Sequence, residues 1–325
     1  MKSVEKLCKI YSAINHANLI GTFEWADLGS FGAADAYLIP LTSLDGGCLC
    51  IEGRNDTKDA SNAYMANKEI SANIIPIKTF ISGNNEKRFF FESPEGGGST
   101  FYPCQDILSR WSEDVKPTNL KRSVIDCKCL AEVVRDNLSS CIFLKADLEG
   151  AEIECIESIV NNNGIENPLL LEVEINVGER GPSESMADGL RKYEAMGYRL
   201  LDMRKTYFYP SSESKLIEEI KKEHVFAPYF QGCIHQFDFL LIRVEMLNNL
   251  NYMNEEDVLK ACLILYLYRQ FHLTAFILER LNSDKSKVLL DLYGPKIYSV
   301  FKEAAFNNQS SLWGYDPLFN WLKST

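Results

Sequence analysis

From Phe23 to Leu247 the chain alternates short apolar runs with segments of helical spacing. "FEWADLG" reads as a strand ending at a turn, and "AADAYLIPLTSL" as a helix that Pro40 bends or ends. "GCLCIEG" (47–53) is a second strand, 56–73 a helix with an Asp/Thr start, and "IIPIKTFIS" (74–82) a third strand. A fourth strand, "KRFFFES", follows a Gly-Asn-Asn turn, and residues 94–122 form an irregular excursion. "SVIDCKCL" resumes a strand and "AEVVRDNL" a short helix. "CIFLKADLEGAEIECIESIVNNNG" then gives strand, polar turn and helix, with Gly164 as the stop. "PLLLEVEINV" (168–177) is a strand, "ESMADGLRKYEAMGYRLLDM" a helix and a strand, and "FDFLLIRVEML" the last strand. Strands alternating with helices predict a mostly parallel sheet covered on both faces.

The two ends read differently. Val4, Leu7, Cys8, Tyr11 and Ile14 recur at helical spacing, which predicts an amphipathic helix leading into the core. After Asn254 the pattern is all helix, with four candidates broken by Asn/Ser/Asp and Gly-Pro. The expected organisation is an N-terminal helix over 1–20, an α/β domain over 21–248 and a helical module over 249–325.

Of 325 residues, 46% are hydrophobic and 24% charged, the balance of a globular chain. A net charge of −11 and the lack of a basic block argue against gripping nucleic acid. The longest apolar run, 261–268, is too short for a membrane span, and the N-terminus does not read as a signal peptide. Ten cysteines without a secretion signal imply reduced thiols and a cytoplasmic location. The pairs Cys48/Cys50 and Cys127/Cys129 alternate as strand residues do, so packing is expected there and no metal site. Phe89, Phe90 and Phe91 read as strand core.

Candidate chemistry lies at the strand ends, where open α/β sheets bind ligands. Asp27 and Gly29 end the first strand and Glu52 the second. A glycine turn beside an acid that can accept from ribose hydroxyls points to an adenosine-containing ligand; an ordinary βα turn with an exposed acid has the same local pattern. An NAD site needs three glycines at the pyrophosphate, and Asp27 would repel phosphates. An acid there suits a ligand with a positive amino group and no phosphate, as S-adenosylmethionine has. At the end of the "CIFL" strand, Lys145, Asp147, Glu149 and Glu152 crowd together, and strand alternation puts the first three on one side.

The ordered set "WADLGSFGAADAYL", "CLCIEGRND", "IIPIKTFIS", "SVIDCKCL", "FLKADLEGAEIECIES" and "PLLLEVEI" resembles the FkbM family of S-adenosylmethionine-dependent methyltransferases over about residues 23–245. Its most specific block is K-x-D-x-E-G-x-E, here Lys145, Asp147, Glu149, Gly150 and Glu152. The resemblance implies a class I (Rossmann-like) fold with a seven-stranded, mostly parallel sheet whose last strand is antiparallel. It also implies methyl transfer, usually to a hydroxyl of a sugar or natural product. The cofactor loop would comprise Asp27, Gly29, Ser30, Phe31 and Gly32, with Glu52 as the ribose acid and Arg54 and Asn55 beside it. This chain has Ala33 where the family's loop more often ends in glycine, and Gly53–Arg54 before Asn55 where proline is usual. Those departures are the sequence support for a second reading, a non-catalytic binding or scaffold protein acting through its C-terminal helices. For catalysis, Asp147 is the first candidate base, followed by Glu172 with Glu174, and His235. The expected partners are a small-molecule or carbohydrate acceptor bound by loops 94–122, 178–186 and 205–235, and a second copy or another protein on the C-terminal helices.

Overall fold

The computed structural model describes residues 2–29, 38–53, 73–92, 99–101, 120–162, 164, 166–176, 186–209 and 233–293. The first helix, α1, is Lys2–His16. Strands β1 (Trp25–Leu28) and β2 (Gly47–Glu52) flank a 3-10 turn at Ile39–Ser43, where Pro40 sits in the first turn. Then come β3 (Asn73–Lys78), β4 (Phe80–Ser82), β5 (Glu86–Glu92), β6 (Ser99–Thr100) and β7 (Lys121–Cys129). Next are α2 (Leu130–Asn137), β8 (Phe143–Ala146), α3 (Glu152–Val160), β9 (Leu170–Asn176) and α4 (Met186–Ala195). They are followed by β10 (Tyr198–Tyr209), β11 (Cys233–Arg243) and α5 (Val244–Asn248). The described chain ends with α6 (Glu255–Leu267), α7 (Phe271–Leu281) and α8 (284–293). The helix expected over 56–73 and the fourth C-terminal helix lie outside the described residues, except for the last residue of the former, which opens β3.

Seven strands form one sheet in the order β10-β11-β9-β8-β1-β2-β3. β8, β9, β1, β2 and β3 run parallel, and β11 pairs antiparallel with both β9 and β10. This is the seven-stranded sheet with an antiparallel last strand that the resemblance implies. Strand alternation divides its side chains between two apolar clusters. Ala26, Leu28, Leu49, Ile51, Leu144, Leu171 and Val173 pack on one side against α2, α3 and α4. Trp25, Cys48, Cys50, Phe143, Leu170 and Leu240 pack on the other with α1, α6, α7 and α8.

"IIPIKTFIS" is not one strand. It breaks at Thr79, leaving β3 in the large sheet and sending β4 into a second sheet of order β4-β7-β5-β6. "KRFFFES" and "SVIDCKCL" belong to this second sheet, pairing as the antiparallel β5 and β7. The excursion read as irregular contributes β6, paired with the end of β5.

The helices after Asn254 share an apolar cluster with α1 and the main sheet. In α6 every residue from Val258 to Leu267 is buried; from Ala261 on the helix is apolar on all sides, and Lys260 is paired with Glu256 at 2.8 Å. Its start is set by Asn254, whose side chain accepts from the Glu256 amide at 2.9 Å, and by three acids in the first turn that favour the helix dipole. The Tyr11 hydroxyl ties α1 to α6 by donating to the Leu263 carbonyl at 2.7 Å. Among the described residues no helix is long and apolar enough to cross a membrane.

Candidate active site

Just beyond the strand ends, β1, β2 and β8 remain zipped together. The Gly29 amide donates to the Ile51 carbonyl at 2.8 Å, and the Asp147 amide to the Leu28 carbonyl at 3.1 Å. Gly29 has φ +75°, and a Cβ there would sit 1.7 Å from the Asp147 carbonyl oxygen. Only glycine meets both conditions. The tight crossing borders a cleft lined by Gly29, Glu52, Gly53, Asp147, Leu148 and Glu149 together with second-sheet residues. Glu52, at the end of β2, is 7% exposed and lines this cleft.

The second sheet supplies an aromatic wall. Phe80, Phe90 and Phe101 line the cleft, with ring centroids 4.8 Å apart for Phe80–Phe90 and 5.2 Å for Phe90–Phe101. A Cβ at Gly53 would lie 2.4 Å from the Phe80 ring, so the position takes glycine to let that ring lie over the end of β2. Arg88 stacks on Phe101 at 4.8 Å and forms an ion pair with Glu154 of α3. Burial raises the Glu154 pKa and Arg88 opposes the rise.

The turn from β8 into α3 carries Asp147. The strand ends at Ala146, so Lys145, Asp147 and Glu149 do not form one strand face: Glu149 sits in the left-handed region at φ +59° and Gly150 at +107°. Glu152 folds back over this turn. One of its carboxylate oxygens, Oε1, accepts from the Leu148 amide at 2.8 Å and the Gly150 amide at 3.1 Å. Burial pushes Glu152 up to about 7, with these amides holding it down and Asp147 adding to the rise. The Phe101 amide donates to the Glu149 carbonyl at 3.1 Å, fastening the aromatic wall to the turn.

A second charged group lies beside the cleft on the face covered by the C-terminal helices. Asp27, Lys145 and Glu172 are register partners on β1, β8 and β9. Asp27 is fully buried and pairs with the 8% exposed Lys145 at 3.5 Å. The Tyr268 hydroxyl, at the end of α6, donates to Glu172. Arg204 of β10 stacks over the Tyr268 ring at 4.5 Å, and Gln270 donates to Asp202 at 3.3 Å. Burial raises the Asp202 pKa; burial and then Arg204 lower that of Arg269.

Of the residues singled out from sequence, Gly29, Glu52 and Asp147 meet at the cleft. Asp27 and Glu172 lie in the adjacent buried row, and Glu174 is buried one pleat further along β9, opposite Asp238 of β11. His235 falls within β11, between Ile234, paired with Phe208, and Gln236, paired with Asn176 and Tyr207. Ser30, Phe31, Gly32, Ala33, Arg54 and Asn55 lie outside the described residues. Phe80, Phe90, Phe101 and Tyr268 were not anticipated as site residues. Phe90 is strand core as expected, 3% exposed in the apolar cluster with α2, α3 and α4, and it also lines the cleft; Phe89 departs from that reading, half exposed beneath Arg122, 3.4 Å from its ring centroid.

No curated protein matches the chain in sequence. Among solved structures, the chain is similar to an S-adenosylmethionine-dependent methyltransferase from Geobacter sulfurreducens in complex with S-adenosyl-L-homocysteine: 11% identity, TM-score 0.36, covering 73% of this chain and 90% of that one. It is also similar to M. jannaschii TYW2 in complex with AdoMet: 10% identity, TM-score 0.29, 74% and 75% coverage. A third is an S-adenosylmethionine-dependent methyltransferase from Clostridium acetobutylicum: 8% identity, TM-score 0.32, 74% and 91% coverage. The methyltransferase FkbM domain matches residues 32–200, more than half of the chain, a span that includes β2, the second sheet, the Asp147 turn and β9. With its seven-stranded sheet in the class I methyltransferase arrangement, the chain belongs to the FkbM methyltransferase family.

Proposed function

We propose that the chain transfers a methyl group from S-adenosylmethionine to a hydroxyl of a sugar or natural-product acceptor. The observation that carries this reading is the cleft in which Gly29, Glu52 and Asp147 converge at the strand ends beneath Phe80, Phe90 and Phe101. Its chemistry fits a nucleoside without phosphate: a buried acid for ribose hydroxyls, an apolar aromatic wall for a base, and acids suited to an ammonium group. When bound, S-adenosylmethionine supplies an electrophilic methyl carbon on a sulfonium that departs as neutral S-adenosylhomocysteine when an acceptor oxygen attacks.

Glu52 accepts from the ribose hydroxyls, and the wall excludes water from the base. The Gly29–Asp147 crossing fixes the position of the Asp147 carboxylate, which takes the acceptor's hydroxyl proton as the oxygen attacks. His235 of β11 is the next candidate for that proton; Glu172, buried beside Tyr268, does not line the cleft. Gly53, one of the two departures that favoured a non-catalytic scaffold, has a packing reason in Phe80.

Calorimetry with S-adenosylhomocysteine tests the donor site, and absence of binding at millimolar ligand would sink it. Incubation with methyl-labelled S-adenosylmethionine and a panel of sugars and hydroxylated natural products tests the acceptor class. Asp147→Asn is expected to keep donor binding and lose turnover; unchanged turnover removes Asp147 as the base.

A further inference from the structure

We propose that Glu152 is a positioning residue for the donor site: its carboxylate clamps the turn that carries Asp147 and Glu149, and the affinity for donor depends on that clamp. The proposal rests on the reading of the cleft as the donor site. Glu152 itself does not line the cleft; the residues it holds do.

The turn needs an external hold. Glu149 is a non-glycine residue at φ +59°, a conformation that costs about 1 kcal/mol or more. Gly150 follows, also with positive φ. Relaxation of this pair would pull against the hydrogen bond by which the Asp147 amide holds the Leu28 carbonyl beside Gly29. One carboxylate oxygen bridging the Leu148 and Gly150 amides spans the strained residue from both sides. Hydrogen bonds to an ionised acceptor are about twice as strong as neutral ones, so the clamp tightens on ionisation. The turn in turn holds Phe101 through the Glu149 carbonyl, so a loosened clamp reaches the aromatic wall as well.

The surroundings of Glu152 make its ionisation responsive. Asp147 faces it from the turn, Cys155 lies on its own helix α3, and Tyr193 approaches from α4. The Tyr193 hydroxyl is buried and has no hydrogen-bond partner among the described residues, and Glu152 is its strongest charged influence. No cation is among these groups, and burial sets the carboxylate to titrate around neutral pH.

The test is calorimetric binding of S-adenosylhomocysteine at pH 6, 7 and 8 to the wild-type chain, Glu152→Gln and Glu152→Ala. The expected result is wild-type affinity that rises several-fold from pH 6 to pH 8. Glu152→Gln, a neutral acceptor of the same shape, should be nearly flat and close to the wild-type value at pH 6. Glu152→Ala should bind at least tenfold more weakly at every pH. Wild-type affinity in Glu152→Ala overturns the proposal, as does a Glu152→Gln profile that rises like the wild type. Should Glu152→Ala not fold, the Glu152→Gln profile decides alone. If the wild-type chain binds no S-adenosylhomocysteine, the donor-site reading falls first and this proposal with it, an outcome distinct from binding that ignores Glu152.

Discussion

Two charged groups stand side by side where the parallel strands end, and they are built in opposite ways. Gly29, Glu52 and Asp147 lie where a glycine crossing and a strained turn open the sheet edge beneath the second sheet. Asp27, Lys145 and Glu172 are register partners on adjacent strands, but all three are buried, and Tyr268 at the end of α6 reaches Glu172. Similar acids on similar strands thus face an open cleft in one case and a sealed core in the other. What differs is the covering element: a small sheet that walls the first group and, over the second, the end of a helix whose last two turns are apolar on every side. Changes to the sealed row should therefore be read in stability, and changes to the cleft in ligand binding.

The strongest test of that division is Lys145→Ala. Removing one partner of a buried ion pair takes a facing charge from Asp27, a loss of the kind that costs about 3–5 kcal/mol. Denaturant unfolding should show a loss of that size; a loss under about 1 kcal/mol would mean the row is hydrated. Gly29→Ala comes next and belongs to the cleft. The new Cβ would meet the Asp147 carbonyl at 1.7 Å, and the φ of +75° disfavours any side chain. S-adenosylhomocysteine binding should fall below detection, and binding within threefold of wild type would show that the crossing relaxes freely. Tyr268→Phe returns to the sealed row with a smaller effect. The ring contacts with Arg204 and with Phe143, 5.7 Å away, stay, while the hydrogen bond to Glu172 goes. A bond to a charged group is worth about 1.5–3 kcal/mol, so unfolding should register a loss in that range with donor affinity unchanged. A drop in affinity without a drop in stability would move Tyr268 from the seal to the site.

The cleft was more legible in the sequence than the seal, for a physical reason. Gly29 and Glu52 sit at the ends of short apolar strands, and strand, turn and terminal acid are all local signals. α6 was equally plain as a helix, since "ACLILYLY" is apolar on every side. Its destination was not. Nothing near Tyr268 indicates that its hydroxyl meets Glu172, because that contact joins residues far apart in the chain and depends on how α6 crosses the sheet. The aromatic wall failed to show for a similar reason. Phe80, Phe90 and Phe101 come from β4, from β5 and from just beyond β6, and each is unremarkable in its own run. The break at Thr79 that sends β4 into another sheet has no local mark either, as "IIPIKTFIS" continues apolar across it. Gly53 shows the converse: an evident departure from the family pattern whose cause, the Phe80 ring, is visible only in three dimensions.

The mildest substitution sharpens the comparison most. Glu52→Gln keeps the size and one acceptor of the side chain and replaces a carboxylate oxygen with a donor, so a ribose hydroxyl that donated to it loses its partner. Affinity for S-adenosylhomocysteine should fall about tenfold, equivalent to about 1.4 kcal/mol. Thermal stability measured alongside separates a lost ligand contact from a loosened fold. An analogue without the ribose 2′-hydroxyl supplies the second leg of a double-mutant cycle. If Glu52 holds that hydroxyl, the wild-type chain loses affinity for the analogue and Glu52→Gln loses much less, giving a coupling free energy of about 1 kcal/mol. If the two losses simply add, Glu52 acts through charge at the cleft mouth and not through the ribose. Lys145→Ala measured with the same ligand pair should give additive losses, since the sealed row has no route to the ribose. Coupling there would mean that the two groups, built so differently, work as one site.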